Sequence, residues 1–209
     1  VCAVELTKVD DAITVFIAGD STVTDQPRPP GNSWGQMLTR FFKPEVAIAN
    51  HAESGETLKS FITELRLDKL LSQMKRGDYL LVQFGHNDEK ASWPQTYVEA
   101  NTTYKAYLRV FIAEARRRGA IPVLCSPVQR RMFDANGKIR NSHGDYPAAV
   151  RNVAKEENVA FIDLAALSAR FYEALGPPKS PLAFSGVGDR RDATHHDNYG
   201  SYEIAKCRS

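Results

Sequence analysis

Cysteine is scarce in this sequence: three residues in 209, at Cys2, Cys125 and Cys207. They lie far apart, without the paired spacing of a disulfide framework or a thiolate metal site. Cys125, inside the apolar run IPVLCS, reads as a buried free thiol, and Cys2–Cys207 is the only pairing to consider. Charge of one sign is also lacking, since 27 basic residues face 25 acidic ones for a net +2. That balance excludes a general electrostatic grip on nucleic acid, and Arg116, Arg117 and Arg118 read as the solvated end of a helix. No apolar run approaches the length that crosses a bilayer. The first residues have neither an initiator Met nor the charged start, apolar centre and cleavage site of a signal peptide. Residues 1–12 read as the end of a preceding domain or linker, with one domain over residues 13–209. A P-loop, a dinucleotide glycine pattern, GxSxG and HExxH are all missing.

What is present is ordinary globular composition, with 43% hydrophobic, 10% aromatic and 25% charged residues. A chain of this length buries roughly 70% of its unfolded surface and needs no disulfide staples. Short apolar runs recur between longer amphipathic stretches. Strands are expected at residues 13–18, 46–50, 79–84, 120–126 and 159–163. Helices are expected at 33–42, 57–75, 96–118, 146–157, 164–175 and 199–206, with Gly119 stopping the longest. Strands that are apolar throughout and alternate with helices predict a parallel sheet covered on both faces, a three-layer α/β domain. Ligands of such sheets bind beyond the carboxyl ends of the strands. The long loops at 24–32, 130–145 and 176–194 add to that end of the molecule.

The residues just after the strands carry the chemistry. Gly19-Asp20-Ser21-Thr22 follows the first strand, and a serine on such a turn exposes its hydroxyl beside backbone N–H groups, or else caps a helix. Asp192-Ala193-Thr194-His195-His196 puts a carboxylate three residues before a histidine, the spacing for a general base and its orienting acid. A helix cap with an exposed histidine is the plainer alternative. A metal site from His195, His196, Asp197, His143 and Asp145 has no supporting ligand pattern. Gly85-His86-Asn87-Asp88 ends the third strand, where the Asn87 amide offers a donor, and Gly55 of the second loop offers a backbone N–H. Both are equally turn formers. Asp20 and Asp88 as a glycosidase pair has only their carboxylates to recommend it.

Taken in order, GDST, the glycine of ESGET, GHND and DATH resemble the four blocks of the SGNH (GDSL-like) hydrolase superfamily. The resemblance implies Ser21 as nucleophile, Asp192 and His195 as acid and base, and an oxyanion hole from Ser21, Gly55 and Asn87. FIAGDSTVTD, SWGQML, FGHND and NSHGDYPAAVRNVAKEENVAFIDL narrow it to the rhamnogalacturonan acetylesterase branch, from Thr14 to Lys206. That implies a flavodoxin-like sandwich with a five-stranded parallel sheet, and a serine esterase that deacetylates pectin without metal or organic cofactor. Acetylated xylan or another acylated glycan is the nearest alternative substrate, and a catalytically silent carbohydrate-binding domain the alternative role. The partner is an acetylated poly- or oligosaccharide, with no nucleic acid and no membrane insertion, and the resemblance implies a secreted or periplasmic enzyme.

Two features depart from the family pattern. The residue after the base, often aromatic, is His196, a second imidazole that would add a donor or shift the site's electrostatics. The chain also stops soon after the histidine, where the family completes a longer helix, which points to one domain of a larger parent. Substrate contacts are expected from His86, Asp88, Arg130, His143 and His196. Trp34, Trp93, Tyr146 and Arg131 are further candidates for the cleft walls, the arginines as partners for sugar carboxylates.

Overall fold

A computed structural model describes residues 8–186 and 192–206; Cys2 and Cys207 lie outside them. Five strands form one parallel sheet: β1 (Ile13–Gly19), β2 (Val46–Asn50), β3 (Tyr79–Gln83), β4 (Ile121–Cys125) and β5 (Ala160–Ile162). Their order is β2-β1-β3-β4-β5. Side chains alternate across each strand, and the apolar runs feed two separate cores. Phe16, Ala18, Leu80, Val82 and Leu124 pack under α2 (Leu58–Thr63), α3 (Arg66–Leu71), α4 (Thr103–Arg117) and α5 (Tyr146–Glu156). Val15, Ile17, Leu81, Val123 and Cys125 pack under α1 (Trp34–Met37), α6 (Leu164–Lys179) and α7 (Asn198–Lys206). This is the three-layer α/β sandwich expected of the sequence. Burial pushes the Cys125 thiol up to about 12, so it stays protonated and inert. No helix of the described residues is long and apolar enough to cross a membrane.

The helices differ from expectation where tertiary contacts intervene. Residues 57–75 form two short helices because the chain turns through Leu65 at φ 61°. Arg66 reaches back to Glu56 at 3.0 Å there, and the turn lets Leu67, Leu70 and Leu71 meet the core. The long helix begins at Thr103, not near 96. Upstream, the Val98 N–H donates to the Asp88 carbonyl and the Glu99 carboxylate accepts the N–H groups of Asn101 and Thr102. The expected helix over 33–42 is α1 followed by a 3₁₀ turn, Leu38–Phe41. Helix α6 runs on to Lys179 but is broken by Gly176 at φ 69°.

Strand order reverses between β2-β1 and β3-β4-β5, so the crevice lies between β1 and β3 at their carboxyl ends. Gly19 is level with Gln83, which sends the loops of Ser21 and Asn87 out side by side. A Cβ on Gly19 would fall 2.6 Å from Val23 and 2.9 Å from the Gln83 carbonyl. Only glycine lets the chain double back that tightly ahead of the serine.

Candidate active site

The turn after β1 is fixed from several sides. The Asp20 carbonyl accepts the N–H groups of Val23 and Thr24, both at 3.0 Å. Gln26 donates its amide to the Ser21 carbonyl at 2.9 Å. Ser21 caps no helix; that role falls to Ser33, whose hydroxyl accepts the Gln36 N–H ahead of α1. The Ser21 hydroxyl instead meets His195 Nε2 at 2.9 Å, and His195 Nδ1 meets Asp192 Oδ2 at 2.7 Å. Asp192 also accepts the backbone N–H groups of Thr194 and His195 through Oδ1. Partial burial works against ionisation of this carboxyl. The bonds from His195 and Thr194 outweigh it and hold Asp192 far below the usual carboxylate range. The loop is stitched to its neighbours by backbone bonds, Asp192 N–H to Ser185 O, Ser185 N–H to His195 O and Arg131 N–H to Ala193 O.

Three donors face the same space. Among the described residues, neither the Ser21 nor the Gly55 backbone N–H has a hydrogen-bond acceptor. Gly55 has φ 90°. Asn87 donates one amide hydrogen to the Glu56 carbonyl at 3.0 Å, which leaves the second for the cleft. The cleft, about 430 Å³ in volume, is bounded by Ser21, Gly55, Asn87 and His195 on its floor. Gln26, Lys90, Trp93 and Ser185 line it as well. Of these only Trp93 belongs to the sequence expectation. Lys90 had one local sign, its position three residues beyond Asn87; Gln26 and Ser185 had only their place in the long loops 24–32 and 176–194.

The five residues expected to touch substrate are placed differently. His86, Asp88 and His143 are buried and none of them lines the cleft; Asp20, the other half of the suggested glycosidase pair, is buried as well. His86 Nδ1 lies 3.3 Å from Asp20 Oδ2, and its ring stacks edge-on against His143 at 4.5 Å. His143 bonds Glu89 at 2.8 Å and the Val128 carbonyl at 2.8 Å. Arg130 is turned inward onto Glu89 at 2.6 Å, so its charge is spent within the fold. Burial opposes ionisation of Asp20, yet His86 and the N–H and hydroxyl of Thr22 hold its carboxyl below the ordinary value. Burial instead pushes Asp88 up to about 8; the Leu58 N–H and backbone bonds of Asp88 and Gly85 pull the other way, and the Asp20 charge adds to the rise.

His196 faces away from His195, which removes both the second-imidazole idea and a shared metal site. Its Nε2 shares a 2.6 Å hydrogen bond with the Tyr172 hydroxyl, beside the Phe184 ring. Burial, with help from the neighbouring histidines, drives its pKa down to about 3, so the ring is neutral. Trp34 and Tyr146 are core residues too, bonded to Gln83 and to the Val98 carbonyl. Arg131 lies over Phe184, 5.7 Å from the ring centre.

The chain is similar to known proteins over most of its length. The sequence profile of the GDSL-like lipase/acylhydrolase family matches residues 17–195. Rhamnogalacturonan acetylesterase RhgT of Bacillus subtilis is 40% identical over 208 residues, covering 93% of this chain and 87% of RhgT. Among solved structures, YxiM of B. subtilis superimposes with a TM-score of 0.85 at 27% identity over 94% of this chain. The chain spans only 55% of that protein. The acetylxylan esterase Axe2 of Geobacillus stearothermophilus shares the fold, with a TM-score of 0.68 at 19% identity, covering 96% of this chain and 94% of its own. With a profile that runs from the end of β1 to the cleft histidine and a relative this similar, the chain belongs to the GDSL-like lipase/acylhydrolase family, a serine esterase by descent.

Proposed function

We propose that this protein removes acetyl groups from an acetylated plant cell-wall polysaccharide, rhamnogalacturonan foremost, through an acetyl-serine intermediate. One observation carries the reading: the continuous Asp192–His195–Ser21 relay at 2.7 and 2.9 Å opens onto two unused N–H groups and a free amide hydrogen. Ser21 attacks the acetyl carbonyl as His195 Nε2 takes its proton, and Asp192 stabilises the resulting imidazolium. The Ser21 and Gly55 N–H groups and Asn87 Nδ2 receive the charge that develops on the carbonyl oxygen. His195 returns its proton to the departing sugar alkoxide, and water then repeats the sequence on the acetyl-serine.

The polymer reading is supported by similarity to RhgT and by the shape of the cleft. An open trough with a half-exposed Trp93 on its wall suits a sugar ring stacked on indole. A plant polysaccharide lies outside the cell, so the enzyme acts after secretion or in the periplasm. The test is acetate release from a panel of acetylated polysaccharides, with Ser21→Ala as blank. Rhamnogalacturonan should lead the panel; a stronger release from acetylxylan would move the substrate to that polymer. Unchanged release by Ser21→Ala would remove the nucleophile.

A further inference from the structure

Lys90 stands in the cleft wall with no part in the scheme above. Its Nζ donates to Asn87 Oδ1 at 2.7 Å and lies 4.4 Å from the centre of the Trp93 ring. Two backbone bonds make this a closed unit, Lys90 N–H to Asn87 O and Trp93 N–H to Lys90 O. Among the described residues no carboxylate pairs with Lys90, so its charge is not neutralised where it sits. The Glu56 carbonyl already fixes which way the Asn87 amide turns. Orientation alone therefore does not explain a cation on the oxygen.

We propose that Lys90 is a positioning residue that polarises the Asn87 carboxamide, making its free N–H a stronger donor to the oxyanion of ester hydrolysis. A cation on the amide oxygen draws electron density from the nitrogen and strengthens the hydrogen bond donated at the other end, as hydrogen bonds in a chain do. The positive charge also stands on the oxygen side of the carboxamide whose N–H faces the developing negative charge, in a half-buried wall where such interactions are less screened than in water. Trp93 holds the ammonium through its ring face, so the aromatic that faces substrate also steadies the cation behind the donor. The effect belongs to the transition state and should appear in kcat, with KM unmoved.

This rests on Asn87 as an oxyanion donor, and the experiment separates the two. Steady-state hydrolysis of p-nitrophenyl acetate is compared for the parent, Lys90→Met, Lys90→Arg, Asn87→Ala and the Lys90→Met/Asn87→Ala double variant, each checked for an unchanged unfolding midpoint. Lys90→Met should lose about tenfold in kcat at constant KM, and Lys90→Arg should recover to within about threefold of the parent. Asn87→Ala should lose about 10²–10³-fold, as for other single oxyanion donors. In that background Lys90→Met should change kcat less than about twofold. A full tenfold loss persisting without Asn87, a Lys90→Met enzyme with parental kcat, or an arginine no better than methionine would each overturn the role of Lys90 alone. Parental activity in Asn87→Ala would remove the donor and Lys90 with it.

Discussion

Asn87 and Asp88 are adjacent in sequence and stand on opposite sides of the cleft floor. The Asn87 amide opens to the cleft, while the Asp88 carboxyl is sealed behind it, with Oδ1 on the Leu58 N–H at 2.9 Å. Burial raises that carboxyl to about 8, so it is a neutral acid at pH 7.

Replacing Asp88 by asparagine should therefore preserve function near neutrality, with kcat within a few-fold of the parent. The pH dependence of stability should change more. An unfolded Asp88 loses its proton near pH 4, whereas the folded one keeps it to about 8. Between those values the folded state binds more protons, so stability falls as pH rises. Asp88→Asn should make that decline visibly shallower in unfolding midpoints measured from pH 4 to 9. A slope identical to the parent's would show that the carboxyl is ionised in the fold.

Asp192→Asn should fold normally and lose about 10³–10⁴ in kcat, because the amide cannot stabilise the imidazolium and favours the wrong tautomer of His195. Steady-state kinetics on an activated acetate ester reads this directly. A loss below tenfold would mean that another group orients the base.

Gly55→Ala isolates backbone conformation from contact. A Cβ there meets nothing within 4 Å, yet φ 90° is strained for any L side chain. The expected cost is about 1–2 kcal/mol of stability, and if the loop relaxes to relieve it the N–H turns away from the cleft. Activity should then drop by tenfold or more while the unfolding midpoint moves only a few degrees. Full activity would exclude Gly55 from the oxyanion site.

His196→Phe removes the 2.6 Å bond to Tyr172 and should cost about 1–2 kcal/mol. The folded ring titrates near 3 and the unfolded one near 6.5, so only the unfolded state takes up a proton between them. That contribution lowers stability as the pH falls through this window, and His196→Phe should be less acid-sensitive there. Ester hydrolysis well below the midpoint should stay within a few-fold, measured beside a denaturation series at pH 4 and 7. A loss as deep as that of a triad variant would tie His196 to the chemistry after all.

The sheet was readable because its strands are short apolar runs bounded by turns, and burial on both faces leaves few other ways to fold them. Ser21, Gly55 and Asn87 were readable because they sit on the loops after β1, β2 and β3, which parallel-sheet topology sends to one end. Asp192 and His195 follow no strand and were legible through their three-residue spacing and the resemblance of DATH to an SGNH block. The break at Leu65 was not, since Arg66 and Glu56 make it across a turn that helical periodicity does not register. His86, His143 and Arg130 misled for a related reason. Polar residues in a motif look like cleft residues until their partners are known: His86 is paired with Asp20 of the first loop, and Arg130 and His143 reach across the fold to Glu89 beside the third. His196 looked like a neighbour of the base, but in extended chain consecutive side chains face opposite ways, and it bridges to Phe184.

The serine and its base are 174 residues apart, and only the serine's turn grows out of the sheet. His195 rides on a loop tied down by Ser185, Arg131 and Phe184, after every strand has already been laid. A ribosome therefore delivers the nucleophile well before the base. A nascent chain can assemble all five strands and still be chemically silent. The hydrolytic centre comes alive only when the closing segment docks, so catalysis reports on completion of the fold rather than on its core.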